Sequence, residues 1–162
     1  MVLGFVQRCI VFMPGTRTSP VVPIDQVPTA DSSPYRRTIL VVDDESAIAD
    51  TLTEILSRNG YAAMTAYDGP SALEIALLTP PELLIADVAL PGMSGIELAI
   101  TIRRIFPDCK VLLISGHAST ADLLATAQRA GHIFTLLAKP LHPRELLARV
   151  SESLRPLTGM AV

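Results

Sequence analysis

Five short apolar runs alternate with five helical patterns along this chain, and this alternation constrains the fold more than any other feature. The strand-length runs lie at residues 38–42, 61–67, 83–87, 110–115 and 134–138, and the helical patterns at 46–59, 69–79, 94–106, 119–129 and 142–154. Strict alternation with short connections favours parallel strands joined by right-handed crossovers. We therefore predict an α/β fold, a doubly wound five-stranded parallel sheet with helices on both faces.

The composition agrees with a buried parallel sheet. Apolar residues make up 49% of the 162 residues, aromatic residues only 4%, and there is no Trp, so the core must be built from aliphatic side chains. The net charge of −3 provides no overall field that attracts nucleic acid. The two cysteines, Cys9 and Cys109, lack metal-ligand spacing and favour a reducing compartment. We expect a cytoplasmic protein.

The amino-terminal segment resembles neither an export signal nor a membrane span. Residues 1–13 are apolar, but Gln7 and Arg8 interrupt them. No charged region precedes the run and no small-residue cleavage site follows it. The run is also too short to cross a bilayer.

Domain boundaries follow from a change in composition. Residues 14–34 contain five prolines among Ser, Thr and Asp residues, which is typical of a linker. We predict a disordered extension over residues 1–36, one folded domain over 37–155 and a short tail over 156–162, with no second domain.

Polar side chains follow four of the five predicted strands. Asp43 and Asp44 come after the first strand, Asp87 ends the third, Ser115 ends the fourth and Lys139 follows the fifth. In an open parallel sheet, sites form at the carboxyl ends of the strands. Neighbouring carboxylates repel one another, and Mg²⁺ relieves this repulsion while leaving room for a phosphate oxygen. The set predicts a phosphoryl-transfer site, where a carboxylate can itself act as the nucleophile.

Each of these residues also has an ordinary structural explanation. Asp43 and Asp44 could cap the following helix, Asp87 could be a turn residue, and Lys139 could lie on the surface. That all three explanations hold at the ends of the first, third and fifth strands is improbable. We interpret His117 as a surface-loop residue that could influence water access to a nearby phosphate.

Four segments carry a resemblance to a known family. The segments ILVVDDE, LLIADVALPGMSG, VLLISGHA and AKP occur in this order, each at a predicted strand end. Together they resemble the response-regulator receiver domains of bacterial two-component systems, which have a flavodoxin-like fold. The resemblance covers about residues 37–155.

The resemblance implies a phosphoacceptor and a metal site. Asp87 would accept the phosphoryl group, and Mg²⁺ would be held by Asp43, Asp44, Asp87 and the backbone carbonyl of Ala89. The phosphoryl donor would be a phosphohistidine on a sensor histidine kinase or a phosphotransfer protein.

It also implies roles for the last two strand ends. Ser115 would hydrogen-bond a phosphoryl oxygen, and Lys139 would pair with Asp87 and later with the phosphate. A cis peptide would precede Pro140, which is plausible in general only before proline.

The sequence departs from the family three positions before the lysine. The family usually has an aromatic residue there, whereas this chain has Leu136, with Phe134 two residues earlier. Two alternatives remain: Leu136 packs as ordinary core, or Phe134 takes the aromatic role through a shifted register.

We therefore expect a single-domain response regulator that signals by phosphorylation-dependent binding of a downstream protein, as a monomer or weak homodimer. It would not be an enzyme beyond self-catalysed phosphotransfer and autodephosphorylation, and would bind neither nucleic acid nor membrane. One alternative is a pseudo-receiver that acts without phosphorylation. Another is an aspartate-based phosphatase of the haloacid-dehalogenase type, which carries a second Asp two residues after the nucleophile. Ala89 stands at that position here, which argues against the phosphatase.

Overall fold

A computed structural model describes residues 35–116 and 120–156 of the chain. All ten predicted elements are present there and belong to one compact unit. Their ends differ from the predicted ones by at most one residue. Their bounds are β1 Thr38–Val42, α1 Ser46–Arg58, β2 Ala62–Ala66, α2 Gly69–Leu78, β3 Leu83–Asp87, α3 Gly95–Ile105, β4 Lys110–Ser115, α4 Thr120–Arg129, β5 Thr135–Ala138 and α5 Pro143–Ser153.

The five strands form one parallel sheet in the order β2-β1-β3-β4-β5. The predicted fold class is confirmed. The strand order switches direction between β1 and β3, because β2 lies on one side of β1 while β3, β4 and β5 lie on the other. Open α/β sheets bind their ligands beside such a switch point. Val42 pairs with Ala86 in this register, so Asp43 and Asp87 follow at neighbouring positions on the same edge.

Side chains of the central strands alternate between two aliphatic cores. On β1, Leu40 and Val42 face the core covered by α2, α3 and α4, whereas Ile39 and Val41 face the core covered by α1 and α5. Both faces of β3 are fully buried as well. This explains why the strands read as continuous apolar runs rather than as alternating ones.

The signals at the helix ends are largely confirmed. Ser94 and Glu97 form a complete capping box at the start of α3, and Gly60 follows α1 with a φ of 91°, the conformation that glycine adopts most easily. Pro143 lies in the first turn of α5. The predicted cap of α4 at Ser119 lies outside the described residues.

Helix α1 is not capped by the acidic pair before it. Glu45 occupies the N-cap position and makes no side-chain capping hydrogen bond. The interpretation of Asp43 and Asp44 as an N-cap pair is therefore wrong, and another reason is needed for two acids at this strand end. Within the described residues, no helix has the length and apolar character needed to cross a bilayer.

Candidate functional site

Three carboxylates meet at the carboxyl ends of β1 and β3. Asp43 and Asp87 are buried and Asp44 is exposed, and one oxygen from each lies within 4.8 Å of the others. Along the chain, β1 and β3 are separated by β2 and two helices. The cluster forms because these two strands are neighbours in the sheet. The proximity predicted for Asp43, Asp44 and Asp87 is thus found in the structure.

Lys139 connects the two buried members of this cluster. Its ammonium donates hydrogen bonds to Asp43 Oδ2 at 2.8 Å and to Asp87 Oδ2 at 2.7 Å. Burial lowers the pKa of Lys139, but the hydrogen bonds and negative charges of Asp43 and Asp87 outweigh that effect and raise the pKa above its ordinary value. Lys139 is therefore a stable cation at neutral pH. The peptide bond before Pro140 is cis, as the resemblance implied.

Backbone N–H groups hold the remaining carboxylate oxygens. Glu45 N donates to Asp43 Oδ1 at 3.0 Å, and Ala89 N donates to Asp87 Oδ1 at 3.2 Å. Each buried carboxylate is thus oriented by one backbone donor and by the ammonium of Lys139. Such preorganisation reduces the reorganisation that a bound ligand would require.

Ser115 lies at the end of β4, one strand away from Asp87. Its side chain is buried and its carbonyl oxygen accepts a hydrogen bond from Lys139 N at 2.8 Å. The pairing of Ser115 with Ala138 brings the hydroxyl-bearing residue beside the start of the segment that carries Lys139. All four predicted strand ends therefore lie at the same edge of the sheet.

Sequence reasoning missed Gly95 as part of this site. A Cβ atom on Gly95 would lie 2.0 Å from the backbone oxygen of Asp87 and 2.8 Å from its carbonyl carbon, and Gly95 N donates to Val88 O at 3.1 Å. Only glycine therefore allows α3 to begin against the backbone of Asp87. The available signal was a glycine directly after the N-cap Ser94, where glycine is otherwise unfavourable to the helix.

The donor set fits a hard divalent cation. It consists of carboxylate oxygens, which Mg²⁺ prefers to nitrogen or sulfur. Three carboxylates and one ammonium leave two excess negative charges, and a divalent cation would balance them. The residues that would hold the ion are Asp43, Asp44 and Asp87.

The structure contradicts one of the two alternatives for the segment before Lys139, and the aromatic role of Phe134 stays a prediction. Leu136 is 40% exposed, so the interpretation of Leu136 as ordinary core is wrong. Phe134 precedes the strand instead of beginning it, and its ring stacks on His132 with centroids 6.2 Å apart. The guanidinium carbon of Arg103 lies 5.6 Å from the Phe134 centroid. His117 lies outside the described residues.

Comparisons with known proteins agree with this geometry. Residues 39–151 match the family described as the response regulator receiver domain, so the chain belongs to that family. It is 35% identical over 117 residues to the response regulator MprA of Mycobacterium ulcerans (strain Agy99), a match that covers 72% of this chain and 50% of MprA. The chain thus spans about half the length of that relative.

Two solved structures give the same result. The signal receiver domain of an HD domain-containing protein from Pseudomonas fluorescens Pf-5 is 31% identical, with a TM-score of 0.69 over 74% of this chain and 95% of that one. Chemotaxis protein CheY4 of Vibrio cholerae is 27% identical, with a TM-score of 0.67 over 74% of this chain and all of its own (100%). The resemblance drawn from the sequence motifs is confirmed.

Proposed function

We propose that this receiver domain accepts a phosphoryl group on Asp87 from a sensor histidine kinase or a phosphotransfer protein. The observation that carries the proposal is the bridge from Lys139 to both buried carboxylates, with a third carboxylate oxygen within 4.8 Å. Buried acids held this closely need cations, and a phosphoryl group needs the same cations when it arrives.

In the proposed transfer, an oxygen of Asp87 attacks the phosphorus atom of a phosphohistidine. The bond between phosphorus and the imidazole nitrogen breaks, and its electron pair remains on that nitrogen. A bound Mg²⁺ would neutralise charge on the phosphoryl oxygens. Asp43 and Asp44 would hold the ion together with Asp87 and the carbonyl of Ala89.

Lys139 and Ser115 would then bind the new group. The ammonium of Lys139 is already 2.7 Å from Asp87 Oδ2 and would pair with a phosphoryl oxygen. The hydroxyl of Ser115 would donate to another such oxygen. The added charge is about −1.5 to −2 at neutral pH.

The signal would leave the domain through β4 and β5. Lys139 N is bonded to Ser115 O and Ser115 pairs with Ala138, so a shift of Ser115 toward the phosphate moves the end of β5. Exposed Leu136 lies on that strand. We propose that a downstream protein distinguishes two arrangements of this surface.

Several finer predictions belong to the same proposal. Ala89 is exposed and has no group that could act as a general acid or base. Hydrolysis of the aspartyl phosphate would therefore be slower than in a phosphatase, and the phosphorylated state would last longer. We propose a cytoplasmic, non-enzymatic signalling protein that is a monomer or weak homodimer. The single-domain arrangement stays a prediction, since the chain spans half of MprA.

The test uses beryllofluoride, a phosphoryl mimic, with Mg²⁺ and backbone amide NMR. We expect large shifts near Asp87, Ser115 and Lys139, and their loss in Asp87→Asn. Asp108→Asn is the matched control, because Asp108 precedes β4 at the opposite edge of the sheet and should leave the response intact.

Two results would contradict the proposal. An unchanged spectrum of the native protein would favour the pseudo-receiver. Phosphotransfer from a kinase to the Asp87→Ala variant would exclude Asp87 as the acceptor.

A further inference from the structure

The sheet has a step at its amino-terminal edge, at the end opposite Asp87. Pairing between the last two strands begins with Leu112 and Thr135, so β4 extends two residues beyond β5 there. The step opens a cavity of about 240 Å³. Its polar side chains come from α3, β4, β5 and α5, and they are Arg103, Lys110, Thr135 and Ser153.

This cavity carries positive charge without a compensating acid. Its lining has two cations and two hydroxyl groups but no carboxylate. Within residues 35–116 and 120–156, neither Arg103 nor Lys110 forms an ion pair. We name these four side chains, Arg103, Lys110, Thr135 and Ser153, the cationic step.

The guanidinium of the cationic step is already held in place. Arg103 Nη1 donates to Ile133 O at 3.2 Å, and the Phe134 ring lies beneath the guanidinium carbon. Because these contacts fix the side chain, little conformational entropy remains to be lost on binding an anion. The other guanidinium N–H groups are left to serve as donors.

A second, larger groove adjoins the cationic step. It has a volume of about 620 Å³ and shares Lys110 and Ser153 with the step. This volume lies within the range of roughly 300–1,000 Å³ that is usual for ligand sites. Its apolar lining includes Tyr35, Pro80, Pro81, Ile105 and Phe106.

The charges of this groove are mixed. Its cations are Arg37, Lys110 and Arg155, and its acids are Glu82 and Asp108. Arg37 and Glu82 form an ion pair at 3.1 Å. The anionic part of a ligand is therefore best placed at the cationic step and its apolar part in the groove.

We propose that the cationic step and the groove together bind a phosphomonoester with an aromatic or apolar body. The phosphoryl group would accept hydrogen bonds from Arg103, Lys110 and the two hydroxyls. A tetrahedral dianion matches this number of donors and charges better than a carboxylate does. The body would pack against Phe106 and Tyr35. The proposal does not depend on phosphotransfer at Asp87, since the two sites lie at opposite edges of the sheet.

Three probes separate the two parts of the site: inorganic phosphate, benzyl alcohol and phenyl phosphate. Each is titrated into the full chain with EDTA present while backbone amide shifts are followed. We expect phenyl phosphate to shift the amides of Lys110, Val111, Thr135 and Ser153, with a dissociation constant at least about fivefold below those of the other two probes. This difference corresponds to about 1 kcal/mol from joining the two parts.

Variants test the cationic step itself. Lys110→Gln should weaken phenyl phosphate binding at least about fivefold, and it should fold normally because Lys110 is exposed. Arg58→Gln removes the same charge from an exposed site on α1 and should change the affinity less than about twofold, since salt screens distant charges. Any one of four results would overturn the proposal. Phenyl phosphate could bind no more tightly than phosphate, or could cause no amide shifts. The shifts could be confined to the Asp87 edge, or the two variants could lose the same amount of affinity.

Discussion

Replacing Lys139 with Met removes the ammonium that joins Asp43 and Asp87 while preserving most of the side-chain length. The variant leaves three carboxylate oxygens within 4.8 Å of one another and eliminates two hydrogen-bonded ion contacts of 2.8 and 2.7 Å. We expect the apo protein to lose stability because two buried acids then lack a cation.

The magnitude follows from the geometry. Two carboxylate oxygens in this cluster are at most 4.8 Å apart, and two unit charges at that limit repel by about 3–4 kcal/mol at an effective dielectric constant of about 20. Removing one partner of a buried ion pair costs about 3–5 kcal/mol. The Lys139 side chain is 19% exposed and water therefore screens part of the interaction, so we expect a loss of about 2–3 kcal/mol.

The assay is urea denaturation followed by far-ultraviolet circular dichroism, in EDTA and in Mg²⁺. Mg²⁺ should bind Lys139→Met more tightly than the native protein, because the ammonium no longer competes for Asp43 and Asp87. Mg²⁺ at about 100 times the variant's dissociation constant would stabilise the variant by about 2.7 kcal/mol, which restores about the stability that the native protein has in EDTA. The deficit measured in Mg²⁺ should be smaller than that in EDTA, because the native protein gains less.

The pH dependence has a definite sign. Because the pKa of Lys139 is raised, its contribution is fully present below the ordinary lysine pKa and is lost as pH rises through the raised value. The difference between native protein and variant should therefore be the same at pH 7 and pH 9. Arg58→Met, which removes an exposed cation paired with Glu54, should have a much smaller effect. Equal stability of native protein and Lys139→Met in EDTA, or a deficit that Mg²⁺ leaves unchanged, would refute the reasoning.

Three further predictions concern other parts of the molecule. Gly95→Ala should lower both stability and Mg²⁺ affinity, measured by urea denaturation and calorimetry, whereas Gly116→Ala should change little because its Cβ would lie 3.6 Å from Lys139 Cβ; similar effects would contradict the close-approach argument. Burial raises the pKa of Cys109 to about 11, so at pH 8 its alkylation, followed by peptide mass spectrometry, should occur only on unfolding. Leu137→Ala should cost about 2–4 kcal/mol of unfolding free energy, and Leu136→Ala less than about 1 kcal/mol; a reversed order would mean that β5 is rotated.

Local sequence patterns were enough to predict the helices and strands of the fold. Each strand is a run of aliphatic residues and each helix has its own apolar spacing, so neither depends on distant parts of the chain. Ser94 with Glu97 and the glycine at position 60 marked helix ends for the same reason, since a cap involves only neighbouring residues. The placement of acids at strand ends could also be read locally, and parallel strands then bring those ends to one edge.

Contacts between distant residues could not be read in this way. Lys139 was expected to pair with Asp87, but its second bond to Asp43 spans 96 residues and depends on β1 lying next to β3. The exposure of Leu136 depends on which helices cover β5, and a strand pattern alone does not specify them.

The sequence by itself determined that this chain forms a doubly wound parallel sheet with acids, a hydroxyl and an ammonium at its carboxyl edge. The tertiary structure decided which of them touch, why residue 95 must be glycine, and that Arg103 and Lys110 line one cavity at the opposite edge. The physical reason is that periodicity and capping act over a few residues. Strand order, register and the approach of α3 to Asp87 arise only when the two cores pack.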